Sequence, residues 1–371
     1  MKTIVILGSS FAGVTTAHRL LKQAPKTGDV KIILVGPNTH LFWNLAVPRA
    51  VVPGQFSDEK LFGAIAPGFK QYSTARFEFV IGTAERLDLD SKHVSVATDN
   101  GEKLIGFDIL ILATGSRTKG DIPFKGRGSY EDTRNALHDL QDKVKNATSI
   151  VIGGAGATGV ETAGELGFEY RTGKKITLIS SGARILEGTP LSVSKTATKK
   201  LQSLDVTIRL KTKILSSAKL ADGRTELTLT DGQKITTDLY IPTVGLTPNS
   251  SYIPQNLLNP DGFVIVDEYL RVRSTTDVWA VGDVSNVQRP QFVNTEKQSV
   301  HVAKNIGLLM KGKDIVRYQK DDKDMLAVPI GRKAGTGHLG GMKFPSFMIV
   351  MIKGKTYFTQ NMGPTITGSA V

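Results

Sequence analysis

The alternation of apolar and polar positions predicts buried strands that lead into glycine-rich turns and then into helices. Residues 3–8 and 149–153 are short runs rich in Ile and Val, and each run meets a cluster of glycines. Beyond each turn, apolar or small residues recur at helical spacing over about 14–21 and 157–170. A short apolar run followed by a helical pattern is typical of a βαβ unit in a parallel sheet. The sequence therefore predicts two such units.

Further apolar runs fill in the rest of the chain. Helices are predicted at 193–204 and 295–310, and the stretch 40–69 is predicted to be a loop with short helices lying over a ligand. The segment 328–355 is predicted to mix strands and glycines. The remaining strands are predicted at 31–35, 77–88, 93–97, 107–113, 175–179, 207–210, 225–229, 239–245, 263–267 and 278–284.

The mid-chain turn has the complete pattern G-x-G-x-x-G. Its glycines are Gly154, Gly156 and Gly159, with Ala157 and Thr158 opening the helix. In such a turn the first glycine allows a tight bend, the second lets the backbone approach a pyrophosphate, and the third lets the helix pack closely on the strand. The strand before it and the helix after it predict a dinucleotide site here.

The strand that follows this helix ends without a carboxylate. An acidic side chain at this point usually binds the 2′-hydroxyl of the adenosine ribose, but the chain reads Ser180-Ser181 and continues to Arg184. We therefore take Ser180 and Arg184 as nucleotide-binding candidates, with Arg184 able to meet a 2′-phosphate. This favours tolerance of NADPH and leaves both NADH and NADPH open.

The N-terminal turn is a degenerate version of the same motif. It reads Gly8-Ser9-Ser10-Phe11-Ala12-Gly13, with Ser10 where the middle glycine would stand. The second strand ends in Gly36-Pro37-Asn38, so Asn38 is the substitute for the usual acidic residue. By itself this motif leaves a nucleotide site and an ordinary glycine turn equally open.

Other candidates stand at strand ends or in the irregular stretch. Ala113-Thr114-Gly115 and Gly245 each follow an apolar strand, and Gly282-Asp283 follows another, so that Asp283 should point into a cleft. Arg49 could pair with a phosphate or a substrate, or be an ordinary surface arginine.

Composition narrows the class of protein. The chain has 371 residues, a net charge of +13 and no cysteine. Without cysteine, disulfides, thiolate metal sites and electron relay through a C-x-x-C pair are excluded, and no metal site is predicted. The basic residues are dispersed, which favours anionic cofactors or a membrane surface over nucleic acid. Since an apolar strand starts at residue 3 and Lys2 replaces the glycine of a myristoylation signal, we expect a cytoplasmic protein, with a peripheral position at a membrane left open.

Taken in order, these motifs resemble the two-dinucleotide-binding-domain flavoproteins, and most closely the apoptosis-inducing-factor-like branch, the mitochondrion-associated inducer of death or ferroptosis-suppressor type. The resemblance spans nearly the whole chain. It implies an α/β fold with two Rossmann-like domains, the second inserted in the first. The implied bounds are 1–119 with 246–310 for the FAD domain, 120–245 for the NAD(P)H domain, and 311–371 for a small C-terminal α+β segment.

The resemblance also implies roles for individual residues. FAD would bind with its pyrophosphate at Gly8–Gly13, its adenine near Ala84 and its ribitol near Asp283, while NADH or NADPH would bind at Gly154–Gly159. Glu161 would hydrogen-bond the carboxamide of the nicotinamide, which would pass over the flavin near Gly245. For Glu161 the alternative is a carboxylate that stabilises the helix dipole, and for Asp283 it is a cap on the following loop.

The implied reaction passes hydride from NAD(P)H to the flavin and then electrons to a quinone or another small planar acceptor. Lys353 is the candidate cation near the acceptor, with a solvated lysine as its alternative. A biosynthetic flavoenzyme and a redox-responsive NAD(P)H-binding signalling protein are the competing functions. The apolar tail around Phe347 and Met351 could form a peripheral membrane contact, a homodimer face or a core face.

Overall fold

The computed structural model describes residues 1–24, 30–120, 122–320 and 324–371. Its strands are β1 (Lys2–Leu7), β2 (Val30–Gly36), β3 (His40–Phe42), β4 (Phe62–Ala64), β5 (Phe77–Ile81), β6 (Thr83–Asp88), β7 (His93–Thr98), β8 (Gly101–Gly106), β9 (Ile109–Leu112), β10 (Ser116–Thr118), β11 (Ser149–Gly153), β12 (Lys175–Ile179), β13 (Thr207–Arg209), β14 (Ile214–Lys219), β15 (Thr225–Leu229), β16 (Lys234–Thr237), β17 (Leu239–Pro242), β18 (Leu246–Pro248), β19 (Val278–Ala280), β20 (Met325–Ile330), β21 (Ala334–Leu339) and β22 (Met342–Lys343). Its α-helices are α1 (Phe11–Gln23), α2 (Val47–Ala50), α3 (Asp58–Leu61), α4 (Ala66–Phe69), α5 (Tyr130–Asn146), α6 (Ala157–Tyr170), α7 (Leu191–Gln202), α8 (Phe292–Met310), α9 (Ser346–Ile349) and α10 (Met362–Thr367).

Two parallel sheets form the framework. The first has the order β19-β9-β1-β2-β5 and the second has the order β13-β12-β11-β17. In each sheet the strand that leads into a glycine turn, β1 or β11, lies between two parallel neighbours. Proteins with α/β sheets bind ligands beyond the carboxyl ends of the parallel strands, at the point where the strand order reverses. The α/β fold with two Rossmann-like units is therefore confirmed.

The chain passes between the two sheets at one place in the structure. Strand β10 enters the second unit, strand β18 leaves it, and the two pair antiparallel from Ser116↔Pro248 to Thr118↔Leu246. This pair lies next to the predicted domain boundaries at 119/120 and 245/246, which stay predictions.

Within the described residues, the antiparallel pair β3-β4 and three three-stranded antiparallel sheets complete the fold. The three-stranded sheets have the orders β6-β7-β8, β14-β15-β16 and β20-β21-β22. The hairpin between β7 and β8 turns at Asp99-Asn100-Gly101, and Gly101 has φ +99°. The sheet β20-β21-β22 packs its strands against α6, α7 and α9, so the C-terminal segment rests on the second unit.

Three local predictions were wrong or incomplete. The predicted strand 263–267 forms only isolated bridges, among them Val264↔Ser285 and Val266↔Val272. The apolar stretch after Pro345 is helical, as α9 and a π-helix over Val350–Gly354, because only one of its sides is covered. Helix α5 was not predicted, although Ser129 and Asp132 form a capping box at its start.

Within the residues that the structure describes, no helix combines the length and the apolar character needed to cross a membrane.

Candidate functional site

A cavity of about 660 Å³ opens at the carboxyl ends of β1 and β9. This volume falls within the range of cofactor sites, which is roughly 300–1,000 Å³. Twelve of the predicted site residues line it: Gly8, Ser9, Ser10, Phe11, Ala12, Asn38, Ala84, Ala113, Thr114, Gly115, Gly282 and Asp283. Residues that lie 275 positions apart, such as Gly8 and Asp283, are thus brought to one wall.

The backbone at the mouth of this cavity is shaped for a diphosphate. Gly8 has φ +118°, and a Cβ there would stand 2.1 Å from the carbonyl oxygen of Ala113, so no side chain fits. Helix α1 starts at Phe11 beside the cavity with no acidic residue in its first turn and no side chain capping it. Its free N–H groups and partial positive charge are therefore available to an anion. The residues present fit the pyrophosphate of a dinucleotide such as FAD.

Asp283 is fixed on the cavity wall by two donors that the sequence did not reveal. Ser116 Oγ and Lys125 Nζ donate to Asp283 Oδ2 at 3.0 and 2.7 Å. The preceding Gly282 N–H donates to the buried Gln298 Oε1 at 2.7 Å, which holds this turn to α8. Asp283 thus faces cavity-lining groups instead of capping the loop that follows it. Lys125 lies in an aperiodic stretch, and no local pattern marked it.

Asn38 lines the cavity, but its amide is already engaged. Its Nδ2 donates to the carbonyl of Ser129 at 3.1 Å, and its Oδ1 accepts from the N–H of His40 at 2.9 Å. It therefore ties β2 to the start of α5. Its amide serves a structural contact, and the predicted role as ribose acceptor gains no support from these hydrogen bonds.

Arg49 was predicted to pair with a phosphate or a substrate, or to be an ordinary surface arginine, whereas the structure gives it internal partners. Its Nε and Nη2 donate to the two oxygens of Glu165 at 2.9 and 2.8 Å. Nη2 also donates to the carbonyl of Gly354 at 2.7 Å, and Nη1 to that of Lys355 at 3.1 Å. Because Arg49 is only 4 % exposed and all its partners are internal, it forms a buried ion pair.

The two predicted catalytic residues lie together beside this ion pair. Lys353 Nζ donates to Glu161 Oε1, and Glu161 precedes Glu165 by one turn of α6. Tyr357, one turn beyond Lys353, donates from its hydroxyl to Glu165 Oε1 at 3.1 Å. We call these four residues, together with Arg49, the buried charge cluster; it carries two cations and two carboxylates in addition to the tyrosine.

Burial raises the pKa of the Glu161 carboxyl, and the neighbouring Lys353 ammonium opposes this rise. Burial also raises the pKa of the Tyr357 hydroxyl well above its ordinary value, reinforced by the negative charge of Glu165. The arrangement sets a buried carboxyl, whose charged form is disfavoured by burial, against the ammonium of Lys353.

The second glycine turn has the geometry of a nucleotide-binding turn. Gly154 has φ +109°, and a Cβ there would lie 2.5 Å from the side chain of Val244. Gly156 caps α6 and has open space where a side chain would project, whereas a Cβ on Gly159 would stand 1.9 Å from the carbonyl oxygen of Gly154. Ala157 follows as the first helical residue. The open N-terminus of α6 fits a second diphosphate.

The remaining candidates surround this second turn. Thr158 lies in the first turn of α6, and its carbonyl accepts from Thr162 Oγ1 at 2.8 Å. Ser180 Oγ accepts from the N–H of Gly182 at 3.2 Å, which shapes the loop after β12. Arg184 Nη2 donates to the carbonyl of Thr189 at 2.8 Å, so its guanidinium is held within its own loop. Gly245 stands with φ +74° beside β18.

The sequence profile of the pyridine nucleotide-disulphide oxidoreductase family matches residues 2–307. The chain is 49% identical over 371 residues to Oxidoreductase ptaL of Pestalotiopsis fici, covering all of both chains. It is 32% identical to Oxidoreductase phnG of Penicillium herquei, over 96% of this chain and 94% of that one. It is 28% identical to human Ferroptosis suppressor protein 1, over 99% of this chain and 96% of that one.

Solved structures share the fold at low sequence identity. A sulfide:quinone oxidoreductase from Aquifex aeolicus superposes with a TM-score of 0.81 at 16% identity, over 99% of this chain and 92% of that one. A water-forming NADH oxidase from Lactobacillus brevis, bound to NADH, gives 0.74 at 20% identity, over 91% and 75%.

Proposed function

The chain belongs to the pyridine nucleotide-disulphide oxidoreductase family, and from that premise we propose that it oxidises NAD(P)H and reduces a quinone or another small planar acceptor. The family uses FAD and a nicotinamide dinucleotide, so the chain is an NAD(P)H-dependent flavoenzyme. Similarity to Ferroptosis suppressor protein 1 from Homo sapiens and to Apoptosis-inducing factor 1 from Saccharomyces cerevisiae, each at 28% identity, supports placing it in the apoptosis-inducing-factor-like branch.

The absence of cysteine carries the proposal about the acceptor. The family is named for disulphide substrates, but this chain has none of the thiols that would pass electrons to one. We therefore propose an acceptor that is a small molecule and reaches the redox centre directly. Reduction of a quinone consumes NAD(P)H and one proton and yields NAD(P)+ and the quinol, which balances electrons and protons.

When bound, FAD supplies the two-electron redox chemistry that joins the two half-reactions. The chain's own residues would position the two dinucleotides and stabilise the negative charge at the acceptor. The N-termini of α1 and α6 would hold the two diphosphates, and Asp283 would accept from hydroxyls of the FAD ribitol. Glu161 and Lys353 would orient the nicotinamide carboxamide and stabilise negative charge at the acceptor.

Steady-state oxidation of NADH and NADPH with a soluble quinone tests the proposal. Fast quinone-dependent turnover is expected, and Lys353→Met should lower kcat more than it alters the KM for the nucleotide. Reduction of the flavin by NAD(P)H without turnover that depends on the quinone would overturn the proposal. A second candidate function is a flavoenzyme that acts on a small natural product, which the same cysteine-free site would also suit. It is supported by similarity over nearly the whole chain to two oxidoreductases whose names specify no acceptor. A panel of planar aromatic acceptors beside the quinone separates the two.

We also propose peripheral membrane contact through the C-terminal segment, where a lipid-soluble quinone would be found. Phe347 and Met351 are each 64% exposed and Ile352 is 45% exposed, beside the half-buried Lys353. Co-flotation with anionic vesicles should be lost in Phe347→Ser/Met351→Ser. If the variant instead changes only the mass in solution, the surface is a homodimer face.

A further inference from the structure

The loop that follows β12 is held against the second glycine turn. The N–H of Leu186 donates to the carbonyl of Ala155 at 2.8 Å, and the N–H of Gly154 donates to the carbonyl of Ile179 at 2.9 Å. The first contact anchors the far end of the loop, and the second anchors its start. A nucleotide whose diphosphate lies at this turn must therefore place its adenosine ribose beside residues 180–189.

The loop folds back so that the carboxylate of Glu187 lies beside Gly182, just after β12, where the sequence has no acidic residue. Glu187 Oε1 accepts from the N–H of Ala183 at 2.8 Å. Its carboxylate oxygens lie 2.4 Å from the point where a Cβ on Gly182 would stand, so that any side chain there would displace it. The carboxylate thus sits on the third residue after β12, although Glu187 is eight residues beyond the strand. Within the described residues, Oε2 has no donor.

The backbone fixes this return. Leu186 has φ +52° and Gly188 has φ +85°. Thr189 donates to the carbonyl of Leu186 from both its N–H, at 3.2 Å, and its Oγ1, at 2.7 Å. The turn that presents Glu187 is therefore closed on both sides, and its carboxylate stays at the loop surface.

Arg184, in the same loop, makes a hydrogen bond within the loop. Arg184 Nη2 donates to the carbonyl of Thr189, and its Nη1 is buried with no hydrogen-bond partner in the part of the chain that the structure describes. The group that the sequence offered for a 2′-phosphate thus bonds within its own loop, while the carboxylate of Glu187 in the same loop is exposed.

We propose that Glu187 accepts hydrogen bonds from the hydroxyls of the adenosine ribose and makes the enzyme selective for NADH over NADPH. This rests on the proposed binding of the nicotinamide dinucleotide at Gly154–Gly159. A hydroxyl bonded to a carboxylate gains affinity, whereas a 2′-phosphate at the same place meets a like charge. A hydrogen bond to a charged group corresponds to roughly a 10- to 100-fold change in affinity.

Lys211 is the cation that competes with this assignment. The backbone N–H of Lys211 donates to the carbonyl of Gly182 at 2.8 Å, so Lys211 lies next to the loop that carries Glu187. The side chain of Lys211 is exposed. An ammonium there could favour a 2′-phosphate. The test must therefore separate Glu187 from Lys211.

The test measures binding of ADP-ribose and of 2′-phospho-ADP-ribose to the flavin-loaded protein by calorimetry. Neither probe carries a nicotinamide, so the result does not depend on turnover or on the acceptor. The unaltered protein should bind ADP-ribose at least about 10-fold more tightly than the 2′-phospho form. Glu187→Gln should reduce this preference to less than about 3-fold, because it keeps the shape and removes the charge.

Three controls make the result decisive. Glu226→Gln makes the same change on β15 in another sheet and should leave the preference intact. Lys211→Ala should also leave it intact, and flavin content reports folding of every variant. The proposal is overturned if the unaltered protein binds the 2′-phospho form equally well, if Glu187→Gln leaves the preference unchanged, or if Lys211→Ala changes it by more than Glu187→Gln does. Tight ADP-ribose binding without quinone turnover would instead overturn only the proposed acceptor.

Discussion

The buried ion pair between Arg49 and Glu165 gives a quantitative prediction about stability. The two side chains are 5% and 2% exposed, and they join α2 to α6. Arg49→Met removes two donors from the Glu165 carboxylate and leaves it with the hydroxyl of Tyr357. It also removes the donors to the carbonyls of Gly354 and Lys355. An uncompensated buried charge costs about 3–5 kcal/mol in free energy of unfolding.

The double variant Arg49→Met/Glu165→Met separates the lost pair from the stranded charge. Replacing both partners with apolar side chains removes the unpaired carboxylate, so most of the loss should be recovered. A deficit of about 1–3 kcal/mol should persist because the Tyr357 hydroxyl loses its acceptor. The free energy is read from urea unfolding followed by circular dichroism, with the same excess of FAD for every variant so that ligand stabilisation is held constant.

A surface pair provides the control. Arg271 and Asp267 form an ion pair at 3.0 Å, but their side chains are 25% and 27% exposed. Arg271→Met should cost no more than about 1 kcal/mol because water screens the charge that is left. If Arg49→Met costs as little as this control, or if the double variant is less stable than the single one, the assignment of Arg49 to a buried pair is refuted.

Three further predictions concern the cavity and one buried histidine. Gly8→Ala should be insoluble or free of flavin, because its Cβ would meet the carbonyl of Ala113 at 2.1 Å; a flavin-replete variant would contradict the turn. Asp283→Ala should purify with substoichiometric flavin while Asp267→Ala keeps its full content, and equal flavin in both would remove Asp283 from the site. Burial lowers the pKa of His18 to about 4 from the ordinary 6.5. The unfolded state therefore binds more protons between these values, and stability should fall as pH drops from about 6.5 to 4. His18→Asn should lose less stability over this range in urea titrations, and an equal loss would count against the neutral imidazole.

The parts of the fold that sequence could predict are those with a local signal. Both glycine turns were found because the tight turn and the close helix packing require glycine at Gly154 and Gly159. The capping box at Ser129 gives α5 an equally local signal, which the apolar pattern alone overlooked. The prediction of a strand at 263–267 was wrong because an apolar run also suits a half-buried loop that pairs at single residues.

The chemistry of the site depended on contacts that no local pattern carries. Arg49 meets Glu165 across 116 positions, and Lys353 meets Glu161 across 192. Lys125 reaches Asp283 from a segment without periodicity. Glu187 replaces the missing strand-end carboxylate only after the loop folds back over Gly182. These placements follow from tertiary packing, which decides where a side chain goes after the strands are in place.

Anaerobic rapid mixing tests the central claim most directly. The purified protein is mixed first with NADH and then with a short-chain quinone, and the visible absorption of the bound flavin is followed. We expect bleaching by NADH, followed by full recovery when the quinone is added and release of one quinol per NADH. A protein that carries no flavin, or flavin that bleaches with NADH and stays bleached in the presence of quinone, would contradict the account.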